Sequence, residues 1–135
     1  MTLTGSPEVL ALPFDRPRTS AATGAGDYVD AQLSPAAANG LRELARAHGV
    51  TTFTVLHAAL AALLARVAGT DDVAIGTAIA GRDEPELADL IGMFVNTVVL
   101  RTRVRPDDTV ADLLNHAHAV RGEAMEHSSA PFEAG

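Results

Sequence analysis

Chemistry in this chain has to start from histidines, acidic pairs and glycine turns, because Cys is absent and neither disulfides nor thiolate zinc sites can form. There are five histidines, His48, His57, His116, His118 and His127, and no two are adjacent. His116 and His118 stand two apart on an expected helix, so their rings diverge, and no third ligand follows at zinc spacing. Solvated helix histidines are the better reading of that pair. His57 falls near the apolar stripe of a helix expected to be buried, where a hydrogen-bonded core imidazole is expected. Asp71-Asp72 and Asp107-Asp108 fall at expected turns, where Asp serves local hydrogen bonding, so solvated turns are favoured over a catalytic carboxylate pair. Gly24-Ala-Gly26 precedes a strand instead of following one and lacks the helix N-terminus that would hold a phosphate, so it reads as linker. No Gly-x-Ser-x-Gly elbow occurs. The residues alone therefore describe a scaffold without an assembled active site.

The elements that would carry these groups follow from periodicity. Residues 1–26 are rich in Pro, Gly, Ser, Thr and Ala and read as linker. Asp27 to Leu33 fits a short strand. Ser34 before Pro35 is a helix start, with an N-cap acceptor followed by a residue whose missing N–H costs nothing. Leu41, Leu44 and Ala45 give that helix its apolar stripe, and Gly49 its stop. Thr51 or Thr52 caps a second helix, in which Phe53, Leu56, Leu60, Leu63, Leu64 and Val67 recur at the 3.6-residue period before Gly69. Alanine fills most of the rest, so this helix is expected to be buried on more than one side and central.

Asp72 to Ala80 is an expected strand, with Val73, Ile75, Thr77 and Ile79 on one face and Ala74, Gly76, Ala78 and Ala80 on the other. The small face implies close approach by a helix or a ligand channel. After a turn at Gly81-Arg82-Asp83 and a short helical segment from Pro85 to Leu90, a second strand is expected from Met93 to Val104. It should begin buried on both faces and end with Arg101, Arg103 and Arg105 on a wet side. Thr109 with Asp112 resembles a capping pair for a last helix, whose apolar face is Val110, Leu113, Leu114, Ala117, Val120 and Ala124. Helices covering a mixed sheet make the fold class α/β.

Composition narrows the functions. The 135 residues can form one sizeable core, and an apolar fraction of 47% speaks against disorder. A formal charge of −7 argues against a nucleic-acid partner, whose phosphates select clustered Lys and Arg. No run of about 18 apolar residues is present, so no membrane span is expected. With no signal peptide visible, a cytoplasmic location is the default.

Two stretches carry a resemblance. Ile91-Gly-Met-Phe-Val-Asn-Thr-Val-Val-Leu-Arg101 closely resembles the Gly-x-Phe-Val-Asn-Thr signature of the condensation domains of nonribosomal peptide synthetases. His127-Ser-Ser-Ala-Pro-Phe-Glu133 resembles their His-Gln-Asp-x-Pro-Phe-Glu signature, departing from it at Ser128 and Ser129. Leu12-Pro-Phe-Asp-Arg-Pro-Arg18 is similar to the segment joining the two halves of such domains. Gly76-Thr-Ala-Ile-Ala-Gly-Arg82 is similar to the strand and turn before the first signature. The wording at Met93-Phe94-Val95-Asn96 is similar to peptide-bond-forming members rather than epimerisation domains.

The resemblance implies a chloramphenicol-acetyltransferase-like fold in which two α/β halves face each other across a channel. Residues 1–26 would then be the inter-half linker and residues 27–135 a partial C-terminal subdomain. The implied reaction joins aminoacyl or peptidyl thioesters, carried on the phosphopantetheine of carrier proteins, through an amide. The family's His-His-x-x-x-Asp-Gly motif, which carries the catalytic His in the N-terminal half, does not occur here. No catalytic residue, bound cofactor or metal is therefore assigned, and the chain alone is expected to be inactive.

Channel or structural support is assigned to Arg82, Gly92, Phe94, Asn96, Thr97, Pro131, Phe132 and Glu133. Implied partners are the N-terminal half, peptidyl carrier proteins and an adenylation domain, with self-association expected from open strand edges. The rival readings are a non-catalytic interaction module that uses an open sheet edge and an isolated acyltransferase of unknown mechanism.

Overall fold

The computed structural model describes residues 5, 9–15, 28, 30–80 and 95–126. Five elements follow in chain order: α1 (Pro35–Ala47), α2 (Thr52–Ala68), β1 (Asp72–Ala80), β2 (Val95–Arg103) and α3 (Val110–Glu126). Each boundary follows from local chemistry. Ser34 Oγ accepts the Ala37 N–H at 3.2 Å, and Thr51 Oγ1 accepts the Thr54 N–H at 3.2 Å, so α1 and α2 both start on hydroxyl caps. Both end at a glycine in the left-handed region, Gly49 at φ 63° and Gly69 at φ 64°. At α3 the expected pair is reciprocal: Asp112 Oδ2 accepts from the Thr109 N–H at 3.0 Å and Thr109 Oγ1 accepts from the Asp112 N–H at 3.2 Å. These hydrogen bonds from Thr109 hold the Asp112 carboxyl below its ordinary pKa.

The strands pair antiparallel, with Asp72 opposite Arg103 and Ala80 opposite Val95. One face of this ribbon places α2 and α3, and α1 packs on α2. The face bearing Val73, Val98, Leu100 and Thr102 is buried under α2 and α3. One core cluster joins Ala45, Val55, Ala58, Leu114 and Ala117 across the three helices, with Leu41, Leu44, Val50 and Leu113 around it. A second joins Val98 and Leu100 of β2 to Val120 and Ala124 of α3, with Ile79 beside them. No single helix among the described residues is long and apolar enough to cross a membrane.

Several sequence expectations need correction. No strand is present at Tyr28 or over 30–33, since no neighbouring strand among the described residues pairs with that stretch. Most of the expected core stripe of α2 faces outward: Phe53, Leu56, Leu60, Leu63 and Val67 are 43–57% exposed. The buried side is instead the small one, through Thr54, Val55, His57, Ala58, Ala61 and Ala65. Alanines let α2 approach the ribbon and α3 closely, which the larger side chains would prevent. The small face of β1 is open as well, with Ala74, Gly76 and Ala78 all exposed. Nor does β2 begin buried on both faces. Val95 is 59% exposed, and burial alternates from Val98 onward as in a ribbon with one covered face.

Candidate functional site

The signature strand β2 brings Asn96 and Thr97 to one end of the ribbon. Asn96 stands opposite Ile79 and Thr97 opposite Ala78. Asn96 is half-buried, not buried, and its Oδ1 accepts the Thr97 N–H at 2.9 Å. Next to it opens an apolar groove of about 330 Å³, lined by Phe53 of α2, Thr77 and Ile79 of β1, Val98 of β2, and Arg121 and Met125 of α3. The groove can receive an uncharged chain or side chain, and Arg121 is the one charged group among its described lining residues. A neutral amide is neither acid nor base near neutrality, so Asn96 can position a group but not move its proton.

His57 answers the expectation of a core imidazole. It is 5% exposed, and its Nε2 lies 2.8 Å from Thr102 Oγ1, itself fully buried on β2. The Phe53 ring stacks on it at 6.2 Å between centroids. Burial pushes the imidazole pKa below its ordinary 6.5. This ring staples α2 to the ribbon and is not aimed at a substrate.

A falling pH therefore protonates the unfolded chain first. The stability that the neutral ring confers is complete above pH 6.5 and lost as pH drops from there toward the lowered folded value. The melting temperature should fall between about pH 7.5 and 5, and His57→Gln should shrink that fall. Identical pH dependence of the two proteins in thermal scans would refute the assignment.

Asp72 also departs from the solvated-turn expectation. It is the first residue of β1, and its carboxylate receives a fork from Arg101, with Nε to Oδ1 at 2.9 Å and Nη2 to Oδ2 at 2.6 Å. The pair lies diagonally across the strands, since Ala74 is the residue opposite Arg101. The hydrogen bond from Arg101 holds the Asp72 carboxyl below its ordinary 3.8, so this contribution is lost only on acidification below that value. Asp108 behaves as expected at its turn, its Oδ2 accepting the Arg105 N–H at 3.0 Å.

His116 is exposed as expected, yet its Nε2 accepts the Arg103 N–H at 3.2 Å, a bond its position in the sequence does not announce. No group of three or more His, Asp or Glu among the described residues is arranged to hold a metal ion. Of the assigned support residues, Asn96 and Thr97 come together on β2. Arg82, Gly92, Phe94, Pro131, Phe132 and Glu133 lie outside the described residues, as do His127 and the segment from Pro85 to Leu90.

Helices laid over one face of an antiparallel ribbon, with Asn96 and Thr97 at its end, make an α/β scaffold. The family model for the condensation domain matches residues 1–134, and the chain belongs to that family, the condensation domains of nonribosomal peptide synthetases. It is 42% identical over 131 residues to a plipastatin synthase of Bacillus subtilis (strain 168), covering 97% of this chain and 4% of that protein. It is 42% identical over 129 residues to a phosphinothricin tripeptide synthetase of Streptomyces viridochromogenes, covering 96% of this chain and 12% of that protein. The chain thus spans only a small part of the length of these relatives.

Among solved structures, the X-domain from teicoplanin biosynthesis superposes with a TM-score of 0.89 at 30% identity, over 97% of this chain and 29% of its own. That X-domain has also been solved in complex with OxyB. A four-domain nonribosomal peptide synthetase bound to AMP and glycine superposes with a TM-score of 0.90 at 25% identity, over 93% of this chain and 10% of its own. The chloramphenicol-acetyltransferase-like fold class read from the signatures is borne out.

Proposed function

We propose that this chain supplies part of the channel wall and scaffold of a condensation domain that joins carrier-bound aminoacyl or peptidyl thioesters through an amide. The family match over residues 1–134 carries this reading, with the Gly-x-Phe-Val-Asn-Thr signature running into β2 beside an apolar groove. Phosphopantetheine arms of peptidyl carrier proteins bring the substrates, an adenylation domain loads them, and the facing N-terminal half contributes the catalytic His. Residues 1–26 serve as the inter-half linker and 27–135 as part of the C-terminal subdomain. Asn96 and Thr97 hold the start of β2 next to the groove, and Gly92, Phe94, Pro131, Phe132 and Glu133 give structural support.

Arg82 clamps the two halves in this reading, by pairing with the Asp of the His-His-x-x-x-Asp-Gly motif. A guanidinium suits the task because its planar fork binds a carboxylate through two donors, which Lys cannot reproduce. The test is a full-length domain carrying this segment, assayed with two loaded carriers. Arg82→Lys is expected to lower both melting temperature and dipeptide formation, because an ammonium keeps the charge but not the two-donor fork. Asn96→Ala should lower both as well, through loss of the acceptor that holds the Thr97 N–H. Full activity and stability in both variants would reject these roles.

The likeness to an X-domain solved with OxyB favours one second reading, a non-catalytic interaction module. The same assay separates the two, since a module of that kind binds its partner without turnover.

A further inference from the structure

Among the described lining residues of the apolar groove, Phe53 is the only one that α2 supplies; the others come from β1, β2 and α3. The shape of the groove on that side therefore depends on where one ring stands. Its backbone is set by the first turn of α2, where Thr51 Oγ1 accepts the Thr54 N–H and lies 3.0 Å from Thr54 Oγ1. The ring itself is half-exposed, so burial alone does not choose among its staggered rotamers.

His57 stands four residues further along the same helix and so on the same side of it. The two rings are stacked, nearly parallel at 9°, with centroids 6.2 Å apart. His57 is fixed in turn from β2. It is buried, and its Nε2 shares a hydrogen bond of 2.8 Å with Thr102 Oγ1, also buried. Thr102 lies on the same face of β2 as Val98 and Leu100, and those two residues line the groove. A continuous path thus runs from the β2 side of the groove through Thr102 and His57 to the Phe53 ring on the α2 side. Every contact in it joins described residues of this chain, and none depends on what lies over the groove.

We infer that His57 is a positioning residue, holding the Phe53 ring as the α2 wall of the groove in a set relation to β2. An aliphatic side chain at this place would fill the space without doing so. It offers neither a flat face for the ring nor a hydrogen bond to Thr102. His57 touches no reacting group, so it governs how well a substrate is held and not how fast the amide forms. The role in binding rests on the channel reading above; the hold on Phe53 does not.

Two variants separate positioning from packing. His57→Leu alone strands the buried Thr102 hydroxyl and should lower the melting temperature, whereas His57→Leu with Thr102→Val removes both partners and should recover most of that loss. In the 135-residue chain, three-bond couplings of the Phe53 β protons should report one rotamer in the parent protein and averaging in the double variant. In a full-length domain carrying this segment, given two loaded carriers, the double variant should raise KM by roughly two- to tenfold, the worth of one aromatic contact, with kcat unchanged. Phe53→Leu should raise KM alike, and adding it to the double variant should raise KM no further. If the double variant folds poorly, Thr102→Val alone keeps the imidazole, cuts its tie to β2 and gives the same two readouts.

A Phe53 rotamer already averaged in the parent protein, or still fixed in the double variant, overturns the proposal. So does a KM that returns to the parent value together with the melting temperature, which would leave His57 a packing residue. Phe53→Leu with parental KM, while the double variant still frees the ring, would take Phe53 out of the substrate's path and reject the channel reading together with the role in binding.

Discussion

Leu114→Ala is expected to cost about 2–5 kcal/mol, a large share of the stability available to a domain of this size. Leu114 is 2% exposed and is the largest side chain of the cluster that joins α1, α2 and α3. Its buried neighbours are Ala45, Val55, Ala58 and Ala117, so three of the five residues in that cluster are alanines. Small side chains have few rotamers with which to refill a hole, and the cavity left behind should persist. Leu114→Met keeps most of the volume and should cost less than about 1.5 kcal/mol. Denaturant melts of the three proteins check this, and a Leu114→Ala loss no larger than that of Leu114→Met would show that the cluster collapses freely.

The second large effect is on catalysis. The purified chain, given two loaded carrier proteins, should form no amide above background. Positioned proton-transfer groups typically supply about a hundred- to ten-thousand-fold in rate, and the His-His-x-x-x-Asp-Gly motif that would supply one does not occur in these residues. The histidine that is deeply placed, His57, is tied to Thr102 inside the fold and is held neutral by burial. Adding a polypeptide that carries the His motif is the condition under which product should appear. Turnover by the chain alone would reject this account of where the chemistry resides.

Local signals are the most legible part of the fold. Ser34, Thr51, Gly49, Gly69 and the Thr109–Asp112 pair each act within a few residues of themselves, so their geometry can be read from short stretches. The contacts that tie β1 to β2 and α2 to β2 join groups 29 and 45 residues apart, at Asp72–Arg101 and His57–Thr102, and spacing alone does not announce such pairs. The stripe on α2 misleads for a related reason. Periodicity reveals an apolar face but does not say what covers it, and here the alanine face won the contact because small residues permit the closer approach. The strand expected from Met93 to Val104 contains β2, with Asn96 and Thr97 in it. The bond from Asn96 to its neighbour's N–H, and the capture of the Arg103 N–H by His116, arise from strand direction and helix placement.

The Asp72–Arg101 fork bears on how the ribbon finds its pairing while the chain folds. A slip of one residue between β1 and β2 would turn Val98, Leu100 and Thr102 outward and is rejected by burial. A slip of two residues keeps every inward side chain inward, and the hydrophobic pattern barely distinguishes it from the native pairing. What does distinguish it is a pair of chemically specific matches, the guanidinium fork on Asp72 and the His57 imidazole on the Thr102 hydroxyl. In a ribbon so rich in alanine and valine, these polar contacts act as proofreading marks: their worth lies less in the depth of the native well than in the misaligned neighbours they exclude.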